Sequence, residues 1–483
     1  MKTDLTQTTA ADLGALYRAG DASPVDAMAA VLARAEAVNP RINALTRIDG
    51  ERALDEARAS ERRWRDATPL SPLDGVPVSI KELVRVRGWP LTMGSRLTDK
   101  SPAREDAPAV ARLKEAGAII FAQTTSPEYG YKGVTDSPLN GVTRNPWNLE
   151  RTPGGSSGGG AAAVAAGLGP LAIGTDGGGS VRIPASCTGL VGLKATFGRV
   201  PAWPASMHGD LANTGPMART ALDCALMMNA ISRPDARDPF ALPANGVDYA
   251  AALEGDLRGL KVAVIPRLGD YRLDDDVAAA VSGAAKRFEE MGCAVEEAAA
   301  PFDEAIAGGV WSIHWLSSLQ RLLKLYPQAR HDEFDPGLLA QAHVGASFSL
   351  SQLVDAQVTR REIAHAWNLL FDRYDLVLSP TLAVLPWEVG NNLPDGPDGQ
   401  PNLNWACTPI FNLTRHPALS TPCGAGAGGL PIGLQIAAGH YRDAQVLAAA
   451  AAFARASPFP FPVLPTDGGD QDAFAPPPVP SSS

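Results

Sequence analysis

Cysteine is scarce in this chain of 483 residues. The five cysteines, Cys187, Cys224, Cys293, Cys407 and Cys423, are scattered and form no CxxC pair. That pattern excludes a disulfide scaffold and a thiolate zinc site, and it fits a reducing compartment. Histidine is equally dispersed, with seven residues and no HExxH, so no metal centre is expected. Dense basic runs are missing as well. The segment 58–65 mixes both signs and reads as a solvated helix face, and the formal net charge is −10. Nucleic acid is therefore excluded as a main partner. No apolar window is long enough to span a membrane. The start of the chain, MKTDLTQTTAADLGALYRAG, has no apolar signal-peptide core. These absences predict a cytoplasmic protein with no membrane contact. No internal repeat is visible.

Hydrophobic residues make up 45% of the chain, enough for a sizeable core. The periodicities alternate between helix and strand, the grammar of an α/β fold. Ser23-Pro24 predicts a helix start by the cap-then-proline rule, running to about Val38. Further helices are predicted at 52–65, 109–116, 221–231, 274–291 and 443–456. Strands are predicted at 76–80, 118–122, 171–175, 260–265, 294–297, 375–378 and 431–436. Residues 309–326 predict an amphipathic helix, with Trp311, Trp315, Leu319, Leu322 and Tyr326 at helical spacing. Those aromatics read either as core packing or as the apolar wall of a pocket. Residues 391–404 predict a loop, and the low-complexity 473–483, AFAPPPVPSSS, predicts a disordered tail.

The densest chemical signal lies in residues 151–186, RTPGGSSGGGAAAVAAGLGPLAIGTDGGGSVRIPAS. A Gly/Ser turn over 154–160 is followed by a small-residue segment, 161–175. A second turn follows, Asp176-Gly177-Gly178-Gly179-Ser180-Val181-Arg182. Three glycines before a serine free the backbone to turn N–H groups inward, where they can hold an oxyanion. Most such turns carry no chemistry, so a base for the serine is the deciding question. Residues 154–158 match GxSxG, for which His416 and His440 are available downstream, but a Gly/Ser run matches it trivially. A phosphate-loop reading fails because no Gly-Lys-Ser/Thr follows. A buried, neutral lysine is the other base. Lys81 follows the apolar strand 76–80. Taken locally, it reads first as a surface lysine at a strand end.

At these residues the chain resembles the amidase signature hydrolases. Residues 73–82, LDGVPVSIKE, are similar to that family's lysine motif. Residues 153–159, PGGSSGG, resemble its first serine motif, and 174–184, GTDGGGSVRIP, its nucleophile motif. Residues 125–129, TSPEY, resemble the segment preceding these. FNLT at 411–414, PALS at 417–420 and GLPIGLQ at 429–435 resemble its C-terminal elements. The likeness covers roughly residues 10–460.

The resemblance implies a Ser–Ser–Lys triad with Ser180 as nucleophile, Ser156 as bridge and Lys81 as base, and with an unusual cis peptide before Ser156. It implies an oxyanion hole from the N–H groups of Gly177, Gly178, Gly179 and Ser180, with Asp176 and Arg182 bracing the turn. Gly177 stands where relatives often carry a larger residue. The implied fold is a single α/β domain over residues 1–465, with a large mixed, twisted β-sheet covered by helices on both faces. Residues 70–220 would form the core motif region, and about 200–350 a variable region that shapes the substrate pocket. Residues 466–483 form the low-complexity tail. Pocket candidates are Tyr129, Tyr131, Trp311 and Trp315. The leading expectation is a bacterial-type amidase, monomer or homodimer, needing no cofactor. Its partners would be water and a small, fairly apolar amide, anilide or carbamate, the last making it urethanase-like. The alternatives are a glutaminase subunit of a tRNA-dependent amidotransferase, or a non-catalytic amidase-like protein, against which the three filled triad positions speak.

Overall fold

The computed structural model describes residues 3–268, 273–396, 399–462 and 464. The predicted tail, 466–483, lies outside the described residues. An eleven-stranded mixed sheet organises the rest. From one edge its strands are Leu45–Ile48, Ile119–Thr124, Pro77–Lys81, Leu171–Asp176, Asn213–Ala218 and Val191–Lys194. Then come Ala418–Ala425, Pro431–Ala438, Leu376–Pro380, Lys261–Val264 and Ala294–Glu297. The strand Pro77–Lys81, third from that edge, runs parallel to both neighbours, and Ile80 pairs with Ile173. Lys81 and Thr175 therefore emerge at the same end of the sheet, the carboxyl end where open α/β sheets place their sites.

Successive strand side chains point to opposite faces, and the core divides accordingly. Ile120, Val262, Val264, Leu376 and Leu378 join one buried cluster. Their neighbours Ile119 and Phe121 join a second cluster, and Ala263 and Val377 a third. Helices Ala221–Ile231, Asp275–Glu290 and Asp443–Ala456 supply side chains to the first face. Helices Pro24–Ile42 and Leu350–Phe371 supply side chains to the opposite clusters. The expected α/β sheet with helices on both sides is what forms.

Val76, Val78 and Ile80 fall on the first face, which leaves Lys81 on the other. That second face is covered by the helix Gly158–Ala165, made wholly of Gly, Ala and Val. Its small residues let it lie close to its surroundings. A Cβ at Gly159 would come within 2.2 Å of Thr125 Oγ1, and one at Gly158 within 2.3 Å of Thr135 Oγ1. The helix thus starts inside the Gly/Ser turn, runs into the small-residue segment and brings the first serine turn down onto Lys81.

The predicted helix 309–326 is corrected at both ends. The helix runs over Glu304–Leu319, started by Asp303, whose side chain accepts from the Ile306 N–H. A separate short helix, Arg321–Leu325, follows. Tyr326 is extended, as the residue before Pro327 tends to be.

Candidate active site

Lys81 is fully buried. Its Nζ donates to Ser156 Oγ at 2.7 Å, Ser157 Oγ at 2.9 Å and Thr175 Oγ1 at 2.9 Å. Desolvation pulls its pKa down to about 7, against the opposing charges of Asp176 and Glu82. Strand alternation predicts that Glu82 turns away from the amine, and it does. Its carboxylate accepts from the Ser126 N–H at 2.9 Å, from Asn140 Nδ2 and from Thr92 Oγ1. Ser157 and Thr175 are partners that no local signal singles out. Ser157 also donates its hydroxyl to the Thr175 carbonyl at 3.2 Å, so toward the lysine it is an acceptor. Ser156 carries no such second commitment, and its hydroxyl can donate to a neutral amine.

The Gly155–Ser156 peptide is cis, as the resemblance implies. Gly155 has no room for a side chain, because a Cβ there would lie 2.5 Å from the Val134 carbonyl oxygen. The Ser157 N–H donates to the Ser180 carbonyl at 3.1 Å, which ties the two serine turns together. Ser180 lines a cavity of about 1020 Å³. Its hydroxyl makes no hydrogen bond to a described residue, while Lys81 and Ser156 are buried behind it.

The second turn is braced from several directions. Arg182 and Asp176, both fully buried, pair at 2.9 Å. The Asp176 carboxyl is held down at about 2, chiefly by the Arg182 charge working against burial. Arg182 also donates to the Thr408 carbonyl, Gln435 Oε1 and Asn412 Oδ1. Breaking a buried pair of this kind typically costs about 3–5 kcal/mol. The oxyanion expectation needs one correction. The Gly179 N–H is not free, because it donates to Asp176 Oδ1 at 2.8 Å. The N–H groups of Gly177, Gly178 and Ser180 meet no acceptor among the described residues. Trp311 Nε1 donates to the Gly177 carbonyl at 3.2 Å and Thr408 Oγ1 to the Gly178 carbonyl at 2.6 Å. Each anchored carbonyl turns the N–H of the same trans peptide the opposite way, so the Gly178 N–H points away from Trp311.

Of the pocket candidates, Tyr131, Trp311 and Trp315 line the cavity. Tyr129 does not. It takes a left-handed φ of 53°, packs in a cluster with Trp315, Leu319 and Phe334, and pairs its hydroxyl with that of Tyr326. Tyr131 donates to Asp335 Oδ1 at 2.6 Å. The tryptophans combine both readings. They stack on each other with centroids 5.1 Å apart, and Trp315 also stacks on the partly buried His208 at 3.7 Å. They press on the glycine turn as well. A Cβ at Gly178 would meet Trp311 at 2.5 Å, and one at Gly177 would meet Trp315 at 2.9 Å. A larger residue at position 177 is thus incompatible with this tryptophan wall. His208, held neutral by burial with its pKa near 3, escapes a reading of the sequence because a lone histidine carries no local signal.

His416 and His440 do not serve Ser156 or Ser180. They stack on each other at 3.9 Å, and His416 bonds Asn368 at 2.9 Å. His440 lines a separate cavity. Among the described residues, no group of three His, Cys, Asp or Glu side chains is placed to hold a metal ion. No helix among them is long and apolar enough to cross a membrane.

Comparison with known proteins agrees with this geometry. An acylamidase of Rhodococcus erythropolis is 38% identical over 459 residues, covering 93% of this chain and 96% of that one. A glutamyl-tRNA(Gln) amidotransferase subunit of Myxococcus xanthus is 35% identical, covering 94% and 98%. The solved structure of a bacterial aryl acylamidase of the amidase signature enzymes superposes with a TM-score of 0.86 at 33% identity, over 93% of this chain and 96% of that one. A 6-aminohexanoate cyclic dimer hydrolase complexed with substrate also gives 0.86, at 30% identity over 96% and 100%. The family profile described as Amidase matches residues 26–447, and the chain belongs to the amidase signature family of hydrolases.

Proposed function

We propose that this protein hydrolyses the C–N bond of a small, fairly apolar amide, anilide or carbamate through a seryl acyl-enzyme. The observation that carries the reading is the buried Lys81 amine, hydrogen-bonded to Ser156 at 2.7 Å behind a cavity lined by Ser180. A serine hydroxyl needs a base to become a nucleophile. A lysine with its pKa near 7 supplies one at neutral pH. The proton passes from Ser180 to Ser156 to Lys81 as Ser180 Oγ attacks the carbonyl. The developing oxyanion is held by the Gly177, Gly178 and Ser180 N–H groups. The proton returns by the same route to the leaving amine, and water then cleaves the acyl-enzyme.

The cavity wall favours an apolar substrate. Ile183, Trp311, Trp315, Ile410 and Leu413 line it. The glutaminase reading draws on the amidotransferase relatives. Free glutamine, however, brings a carboxylate that wants a cation. Among the described lining residues the one lysine or arginine is Lys132, already paired with Asp136 at 2.6 Å and Asp335 at 3.1 Å. The test is a panel of nitroanilides, simple amides and aryl carbamates, with glutamine alongside, assayed for product and for ammonia. Wild type should turn over an apolar class and Ser180→Ala none. Hydrolysis of glutamine alone would transfer the assignment to the glutaminase.

A further inference from the structure

The helix Glu304–Leu319 runs along the cavity, and its lining side chains include Glu304, Trp311 and Trp315. Positions 304, 311 and 315 share one face, at i, i+7 and i+11. Trp311 marks the catalytic end, since its indole bonds the Gly177 carbonyl. Seven residues at the helical rise place Glu304 about 10 Å further along the same wall.

Glu304 is out of character there. The hydrophobic cluster that forms this wall contains Leu268, Ala300, Ala307, Cys407 and Ile410. Its Oε1 is buried and has no hydrogen-bond partner among the described residues. Most buried polar atoms are paired, and leaving a carboxyl oxygen unpaired is costly. Pairing with a cation does not explain it, because no salt bridge reaches it among the described residues. The proposed triad does not use it either.

We infer that Glu304 is a specificity-determining residue that accepts a hydrogen bond from an N–H group of the substrate, carried about 10 Å beyond the part that lies against Trp311. The inference rests on the proposed amide hydrolysis and names its substrate class: an amide or carbamate with a second nitrogen function, either an amine or another amide. A chain rising about 3.3 Å per three backbone bonds covers that span in about nine bonds. Burial, with the charge of the adjacent Asp303, holds the Glu304 carboxyl up to about 7. In either protonation state it keeps an oxygen that accepts from N–H. The bound N–H would satisfy Oε1, and the apolar wall would cover the linking chain.

The test uses a matched series of acyl nitroanilides whose chains end, at that distance, in an ammonium, a secondary acetamide, an N-methylated acetamide or a methyl group. Wild type should favour the two N–H members over the other two by about tenfold in kcat/KM, the scale of a hydrogen bond to a buried charged group. In Glu304→Leu that ratio should fall to near unity. Glu304→Gln, which keeps a carbonyl acceptor but no charge, should retain the acetamide preference and lose the ammonium preference if amines are the natural class. Melting curves of each variant identify any that fail to fold, in which case the wild-type ratio and the other variant still decide. Equal kcat/KM across the series in wild type, or an unchanged preference in a folded Glu304→Leu, would overturn the assignment. Binding to Ser180→Ala, read by tryptophan fluorescence, separates the two levels of argument. If no member were hydrolysed while N–H members still bound more tightly through Glu304, the hydrolase reading would fall and the Glu304 assignment would stand.

Discussion

Lys81 offers the sharpest test, because its burial translates directly into a pH dependence. Desolvation brings the amine's pKa to about 7 from the ordinary 10.5. As a base it must be neutral in the resting enzyme. Activity should therefore be lost as pH falls through 7 and should plateau above it. The neutral fraction of a group with that pKa changes about tenfold between pH 6 and pH 8, and kcat/KM should follow. The charge of Glu82 acts in the opposite direction to desolvation and raises the lysine's pKa. Glu82→Gln should therefore shift the acidic limb toward lower pH. Lys81→Ala should lose about 10²–10⁴-fold in rate, the range of a general base. Ser156→Ala should lose less, since a water can span part of the relay. The assay is the pH profile of kcat/KM for wild type, Glu82→Gln and Lys81→Ala on one nitroanilide. A flat wild-type profile across neutrality, or the same acidic limb in a Lys81→Ala enzyme of near-normal rate, would refute the relay.

His416→Ala and His440→Ala should keep most of their rate per folded molecule, because neither ring reaches the serines; a loss matching that of Ser180→Ala in a folded protein would revive a histidine base. Trp315→Ala should lower thermal stability by about 3–5 kcal/mol, since that ring is buried between His208 and Trp311. Trp311→Ala, cut from a half-buried wall, should instead reorder the substrate panel more than it shifts Tm; the two measurements taken together decide between wall and core. Gly179→Ala should lose both stability and rate, because its Cβ would sit 2.0 Å from Thr408 Oγ1 at a φ of +126°. Wild-type Tm and kcat in that variant would show the turn to be far looser than drawn.

What the sequence discloses follows the range of the interactions involved. The helices at 221–231 and 443–456 and the strand at 294–297 carry strong local patterns, and their predicted bounds match those observed. The strands Val191–Lys194, Asn213–Ala218 and Ala418–Ala425 are absent from the predicted set. They are rich in Gly, Pro, Thr and Ser, and it is pairing with their neighbours that makes them strands. The helix Gly158–Ala165 is hidden for a related reason. Three glycines at its start are poor helix formers, and close packing against Thr125 and Thr135 outweighs that preference. The positions of the proposed triad are legible through their motifs. Their partners Ser157 and Thr175 are not, since a hydroxyl ligand to a buried amine leaves no pattern along the chain.

The C-terminal elements show why a motif can be legible while its purpose is not. The segments at 411–414 and 429–435 resemble the family, yet nothing local assigns them a task. In the fold, the five N–H donors of Arg182 are all used. Two go to Asp176, one to the Thr408 carbonyl, one to Gln435 and one to Asn412. Asn412 in turn donates to the Asp176 carboxylate at 2.9 Å and to the Asp176 carbonyl at 3.0 Å. Residues more than 200 positions away thus set the orientation of the aspartate that holds the Gly179 N–H. That anchored N–H fixes the middle of the glycine turn, and the neighbouring N–H groups stay free only because the turn is fixed. A planar guanidinium satisfied on every donor holds such a turn in one geometry, which a lysine, with three donors on a flexible stem, does not reproduce. The proposed oxyanion site is therefore a property of the whole sheet, assembled where the strand Leu171–Asp176 ends and the segments around the strands Ala418–Ala425 and Pro431–Ala438 return to meet it.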